Sequence, residues 1–339
     1  MRLWLTVAIL FCFAAAGGSA IWWMFLSSYG ERQLQATQQR LHAQGYTLHY
    51  GQAERSGFPL ELEWVVHDVT LSHAGNGAGQ APFNGRADRV RFVAAPWEPQ
   101  RMTFQVEGRH AWQVQTRGDA GTVDIAVDAA SGVIGPREAE RGWQVDALVT
   151  GITARPQGGA VGDLRVRSAT IAAETPVRMD ELAVDVRLDD ITLPQDFGLG
   201  KLVETLRVTG DVRPLPADYS ADGLRAWQVA DGRLSVSDAQ LRFGALEGSA
   251  RGAMALDQGL RPLGDITVQV QRPAELLALA QQQGWIAEKQ MPLYAMAAGL
   301  FTRTNGTGQA EATVQVGFRQ GSIWLGPLRL GDLPPVVTE

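Results

Sequence analysis

The sequence predicts a mainly-β protein: an N-terminal transmembrane helix followed by a large, curved antiparallel β-sheet with a few short helices. Three observations carry that prediction. After about residue 46 apolar and polar residues alternate at a period of two; turn dipeptides separate the alternating runs; and one unbroken apolar run, Leu3 to Leu26, precedes them all. A period of two is the repeat of a half-buried strand, and a long charge-free run is that of a membrane-spanning helix.

The run LWLTVAILFCFAAAGGSAIWWMFL contains no charged side chain. About 24 helical residues rise about 36 Å, enough to cross a hydrocarbon core of about 30 Å with some tilt. Residues 1–26 are therefore expected to form an anchor, with Trp22, Trp23 and Tyr29 at the exit interface. Arg2 and the α-amine favour a cytoplasmic N-terminus, which puts the body outside the cytoplasm. The competing reading is a cleaved secretory signal, with Gly18-Ser19-Ala20 as a small-residue cleavage site. Against it, the apolar run continues through Ile21 to Leu26.

Residues 27–45 read as a stalk helix. Leu34 and Leu41 share one face, polar residues fill the rest, and Gly45 ends it. The period then changes to two. Leu60, Leu62, Trp64 and Val66 alternate with Glu61, Glu63 and Val65, and the pattern returns around Phe104, Ile125, Val145, Val186, Val236, Val268 and Val316. The dipeptides Asn76-Gly77, Asn84-Gly85, Gly158-Gly159, Asp231-Gly232 and Asn305-Gly306 are expected to turn the chain between strands. Strands joined by hairpins form antiparallel sheet. Helices are expected at Pro273 to Gln283 and about Pro292 to Leu300, with a short helical turn between Leu193 and Glu204. That turn separates a first β-rich lobe, 46–195, from a second, 196–339.

Composition limits the functions open to the chain. With 45% hydrophobic and 19% charged residues it is a folded protein. A net charge of −6 argues against binding nucleic acid, which needs a concentrated basic surface. The single cysteine, Cys12, lies inside the apolar run, so no disulfide forms within the chain.

No catalytic, cofactor-binding or metal-ligating constellation emerges. His67 and His73 would share a face of one strand but lack further ligands. Gly75-Asn76-Gly77-Ala78-Gly79 has no βαβ context for a dinucleotide, and Gly198-Leu199-Gly200-Lys201-Leu202 lacks the residues of a phosphate loop. The acidic pairs Asp189-Asp190 and Glu138 with Glu140 read as solvated turn charges. What does stand out is a count of faces. Many strands present one apolar face, and the helices are too few to cover it. Either the sheets close on each other as a sandwich, or the sheet curls and leaves an apolar trough.

Several segments together resemble a known family. Gly45-Tyr46-Thr47-Leu48-His49-Tyr50 is followed by Ser56-Gly57-Phe58-Pro59-Leu60; Trp97-Glu98-Pro99 follows Ala94-Ala95-Pro96. Further on come Asp231-Gly232-Arg233-Leu234, Phe243-Gly244, Gly252 to Asp257, Arg261-Pro262-Leu263-Gly264 and Trp324-Leu325-Gly326-Pro327-Leu328. In this order they resemble the bacterial family known as domain of unknown function 2125, across nearly the whole chain. The C-terminal half is also similar to segments of AsmA-like proteins, inner-membrane-anchored periplasmic β-proteins associated with phospholipid transfer and envelope assembly. The resemblance implies a groove rather than a sandwich, and it implies no catalytic residue. It points to a single-pass inner (cytoplasmic) membrane protein with its body in the periplasm, which binds or passes lipid or supports cell-envelope assembly. The groove lining would be Leu62, Trp64, Phe104, Val184, Val186, Ile266, Val268 and Val270. Expected partners are the bilayer, a phospholipid or acyl-chain ligand, and an envelope protein. Two rival readings are a structural protein docking a membrane partner and an envelope hydrolase using carboxylates such as Asp189 or Asp231.

Overall fold

The fold is taken from a computed structural model. It describes residues 32, 34–43, 45–75, 82–115, 122–137, 142–157, 162–176, 180–196, 198–216, 220–282, 296, 299, 301–304, 310–326 and 328–337. The run Leu3–Leu26 lies outside these residues, as do Asn76-Gly77, Gly158-Gly159, Asn305-Gly306 and the pair Glu138 and Glu140. Among the described residues no helix is long and apolar enough to cross a membrane.

The strands follow one another in a single antiparallel meander of 18 strands. At one edge, β1 (Tyr46–His49) and β2 (Ala53–Ser56) lie end to end against β3 (Leu62–His73). Next come β4 (Phe83–Ala95) and β5 (Glu98–Gln115), then β6 (Thr122–Val127) and β7 (Ala129–Pro136). The last two are also end to end, each bridging β5 and β8 (Gly142–Pro156). The order continues through β9 (Leu164–Pro176), β10 (Leu182–Thr192), β11 (Leu202–Arg213), β12 (Arg233–Phe243), β13 (Leu246–Leu256) and β14 (Pro262–Gln271). Beyond β14 lies β16 (Ala310–Arg319), whose far side takes β15 (Thr302–Thr304) and β17 (Ser322–Leu325), and β18 (Leu328–Asp332) is outermost. Apart from β1, which skips β2 to pair with β3, each strand pairs with a sequence neighbour, as short hairpin connections dictate. Residue 195 falls in the β10–β11 connection, and the ladder crosses it from Leu182↔Val212 to Thr192↔Leu202.

Among the described residues three helices of nine residues or more accompany the sheet. α1 (34–43) occupies part of the expected stalk. α2 (Ala221–Val229) fills the β11–β12 connection: Ser220 caps it by accepting from the Gly223 N–H at 3.0 Å, and Leu224 and Trp227 are buried on one face. α3 (Pro273–Gln282) forms where Pro273 and the Leu276/Leu277 stripe place it. Met296 and Gly299 are helical; the rest of the helix expected at Pro292–Leu300 is outside the described residues up to Leu300. The helical turn expected between Leu193 and Glu204 is replaced by bends, because the Asp196 carboxylate accepts from the Gly198 and Gly200 N–H groups and closes a tight loop before β11.

One irregularity runs across the sheet from β3 to β11. Asp68 (φ 51°), Gly108 (φ 83°), Gly151 (φ 64°) and Asp190 (φ 52°) have left-handed backbone on β3, β5, β8 and β10, and Asp128 interrupts β6 and β7 at the same level. At each, the alternation slips by one residue. Leu188 and Ile191, three apart, pack into one cluster, as do Leu206 and Val203. Glycine is required at two of these points: a Cβ on Gly108 would strike the Asp88 side chain, and one on Gly151 the Asp128 carboxylate. At β3, β8 and β10 the facing strand skips with its partner and the register is kept, whereas β5 carries an added residue opposite Ala87/Arg89, a bulge that bends its strand.

Three expectations from the sequence do not hold. His67 and His73 do not share a face, because Asp68 lies between them and reverses the phase: His73 packs on Tyr46 at 4.8 Å between ring centroids, while His67 faces Glu54 at 3.7 Å. Asp189-Asp190 is inside β10 rather than in a turn. Asn84-Gly85 likewise lies within β4, where the missing Cβ makes room for the Trp112 ring.

An apolar face spanning the sheet

Directly opposed residues on neighbouring strands share a face, so the register can be followed across the whole sheet. One row begins at Leu62 and passes through Ala94, Met102, Ile134, Val145 and Ala173. It continues through Val184, Gly210, Val236, Gly252, Ile266, Val316 and Leu325 to Leu328 on the outermost strand. A second row starts Trp64, Phe92, Phe104, Gly132, Ala147, Ile171 and proceeds through Val186, Val208, Ala239, Ala250 and Val268 to Val314. A third runs from Val66 through Val106, Val149, Leu188, Leu241 and Val270 to Ala312. No member of these rows carries a charge.

The eight residues expected to line a groove all fall on this face. Leu62, Val184 and Ile266 are in the first row, Trp64, Phe104, Val186 and Val268 in the second, and Val270 in the third. Leu62 is enclosed at 1% exposure by Ala94, Trp64 and Met102; the other seven are half-buried. In a sandwich core such central Val and Ile side chains would be sealed, as protein interiors are close-packed. Here the sealed apolar residues form small separate clusters instead. The largest gathers Val166, Ile191, Val203 and Phe243 beyond the line of left-handed residues.

The opposite face is polar and held by cross-strand ion pairs. Arg91 donates to Glu63 at 2.5 Å, Arg207 to Asp185 at 2.5 and 3.0 Å, and Arg242 pairs with Glu247 at 2.9 Å. The Ser56 hydroxyl and the Arg91 guanidinium hold the Glu63 carboxyl below its ordinary value, and Arg207 does the same for Asp185. Burial pushes Asp257 up, but the Arg261 and Gly259 N–H groups and the Arg261 guanidinium outweigh it and hold this carboxyl low. These groups act as ionised acceptors. Asp189 accepts from Arg187 at 3.0 Å and from Thr205 at 3.2 Å near one end of its strand. Asp231 sits in the turn after α2, at the other end of the sheet, so the two carboxylates are not brought together. Among the described residues no group of three or more His, Cys, Asp or Glu could hold a metal ion.

The apolar face of the first half also carries buried polar atoms. Trp64 Nε1 and both ring nitrogens of His110 are buried without a hydrogen-bond partner among the described residues. His110 lies between Ala87 and Val127 on the face that also carries Trp112 and Phe83. Sequence reasoning passed over His110 because a lone histidine among apolar residues gives no signal until its neighbours are known.

Fold and face together define an antiparallel meander with one charged side and one continuous apolar side. The chain belongs to the family described as an uncharacterized protein conserved in bacteria (DUF2125), whose family model matches residues 23–334. No curated protein and no solved structure matches it.

Proposed function

We propose that this protein is a membrane-anchored carrier or holder of lipid, its anchor Leu3–Leu26 in the inner membrane and its sheet in the periplasm. The apolar side of the sheet receives acyl chains. The observation that carries this reading is the three uninterrupted apolar rows, which run from β3 to β16 and are half-buried rather than sealed. Burial of apolar surface contributes about 25 cal/mol per Å², so an acyl chain laid along such rows gains several kcal/mol over water. The twist of so long a sheet supports the reading, since a twisted and curled sheet turns a flat apolar face into a trough. Likeness to AsmA-like proteins belongs to this proposal, as does a role in cell-envelope assembly.

Native mass spectrometry after mild extraction of the full chain tests it. Co-purifying phospholipid in roughly stoichiometric amount is the expected result. Lipid-free protein, together with an experimental structure in which the Val184, Val186 and Val268 side chains are sealed from solvent, would sink the idea. A single stoichiometric protein partner without lipid would favour a docking role for the same face.

A further inference from the structure

The two ends of the sheet differ in what they expose. Call the end at which β3 begins the Leu62 end, and the opposite one the Leu202 end, where β11 begins. Most of the exposed large apolar side chains sit at the Leu62 end. In the first half they crown two adjacent turns. Phe58 (52% exposed) and Leu60 (67%) lie in the β2–β3 turn, closed by the Glu61 N–H on the Gly57 carbonyl at 2.8 Å. Trp97 (73%) tips the β4–β5 turn. Leu62 pairs with Ala94, so these turns are neighbours, and Trp143 at the start of β8 is exposed along the same rim.

From this geometry we infer that the Phe58–Leu60 and Trp97 turns dock into the surface of a lipid bilayer. Three observations single out that partner. First, the exposed tips are Phe, Leu and Trp, the side chains that enter an interfacial layer, and two short turns do not offer the roughly 800 Å² per partner of a stable protein interface. Glu98, paired with Arg101 at 3.1 Å, and Glu61 flank the tips and confine them to that layer. Second, the apolar row that starts at Leu62 and Ala94 begins directly behind the turns, so an apolar path continues from the tips onto the sheet face.

The third observation is the direction of α1. Gln38 Nε2 donates to the Leu48 carbonyl at 2.9 Å, although Tyr46 begins the strand, so α1 folds back along β1 and its N-terminal end points toward the Leu62 end. β3 spans about 36 Å from His73 to Leu62. With Arg32 also helical, the stretch from residue 32 to residue 43 recovers about 17 Å of that, and the link from Leu26 to Arg32, when drawn out, covers up to about 20 Å more. The end of the apolar run at Leu26 is therefore within reach of the level of these turns. The docking rests on the anchor reading for the position of the bilayer, and it does not depend on the face holding lipid.

The test uses the full chain with Cys12→Ala, carrying Leu60→Cys, Trp97→Cys or Leu202→Cys labelled with an environment-sensitive fluorophore. All three positions are exposed, so the folded protein tolerates the label. Each variant is reconstituted into vesicles of phosphatidylethanolamine and phosphatidylglycerol containing a nitroxide-labelled phosphatidylcholine, and flotation reports incorporation. The expected result is loss of emission at positions 60 and 97 with emission at 202 retained. Protein that floats with 60 and 97 unquenched, or with 202 quenched as strongly, overturns the docking alone. Protein that does not float overturns the anchor and the docking together.

Discussion

The two halves of the sheet finish the same end in different ways. In the second half, α2, the β13–β14 turn and the C-terminal tail build a small core there, with Leu224, Leu260 and Val337 buried together and Trp227 only 8% exposed. The Trp227 indole also donates to the Pro214 carbonyl. In the first half the equivalent level carries Phe58, Leu60 and Trp97 in the open. The apolar faces differ too. The first half presents Trp64, Phe92, Phe104, Trp112 and His110; the second is mostly Val, Leu, Ile, Ala and Gly. One half closes this end over a small core, with Val229, Leu263 and Val336 exposed around it, and the other leaves an aromatic rim in the open.

That contrast is open to direct attack, and the largest effect is expected at the small core. Trp227→Ala removes a buried indole and its hydrogen bond and should cost about 3–5 kcal/mol in denaturant unfolding. Gly151→Ala forces a Cβ onto the Asp128 carboxylate at a positive φ and should cost about 2–3 kcal/mol, with part of the loss recovered in the Asp128→Ala double variant. Ser220→Ala leaves the first turn of α2 uncapped, for about 1 kcal/mol. Trp97→Ala, at the open rim, should stay within about 0.5 kcal/mol of the parent. A Trp97 effect as large as that of Trp227 would mean that the two ends are built alike.

Acid should weaken the sheet through its polar face. Glu63 and Asp185 have folded carboxyls held below their ordinary values, so each contributes stability above that ordinary range and loses it as pH falls through the folded value. The expected outcome is a Tm that declines below about pH 4. Glu63→Gln should flatten that decline, since the Arg91 pair no longer titrates; an unchanged acid limb in Glu63→Gln would remove Glu63 from the account.

Much of the sheet was legible in the period-two runs around Leu62, Phe104, Val186, Val268 and Val316, because large side chains on one face and charges on the other make alternation visible. β13 was not, since its inward positions are Leu246, Gly248, Ala250, Gly252 and Met254, and small residues carry little contrast. α2 was missed because Asp231-Gly232 drew notice only as a turn before the alternating Leu234 and Val236, although Ser220, Leu224 and Trp227 mark a capped helix with one apolar face. The line of left-handed residues escaped because it exists only across strands. Its trace is the doublet Val66-His67-Asp68-Val69-Thr70-Leu71 and Leu188-Asp189-Asp190-Ile191-Thr192-Leu193, where an aspartate separates apolar residues three apart. The eight proposed lining residues could be assigned to one face because alternation alone decides a face; their alignment into rows needed the register.

Val268→Glu places a charge in the second apolar row, between Ala250 and Val314, and bears most directly on whether the face is open. On an open trough the carboxylate reaches water, so the account predicts folded protein with circular dichroism and Tm near those of the parent, and loss of bound lipid in native mass spectrometry. If the face were a sealed core, the unpaired buried charge would abolish folded protein. Unfolded Val268→Glu, or a folded variant that keeps its lipid, would contradict the account.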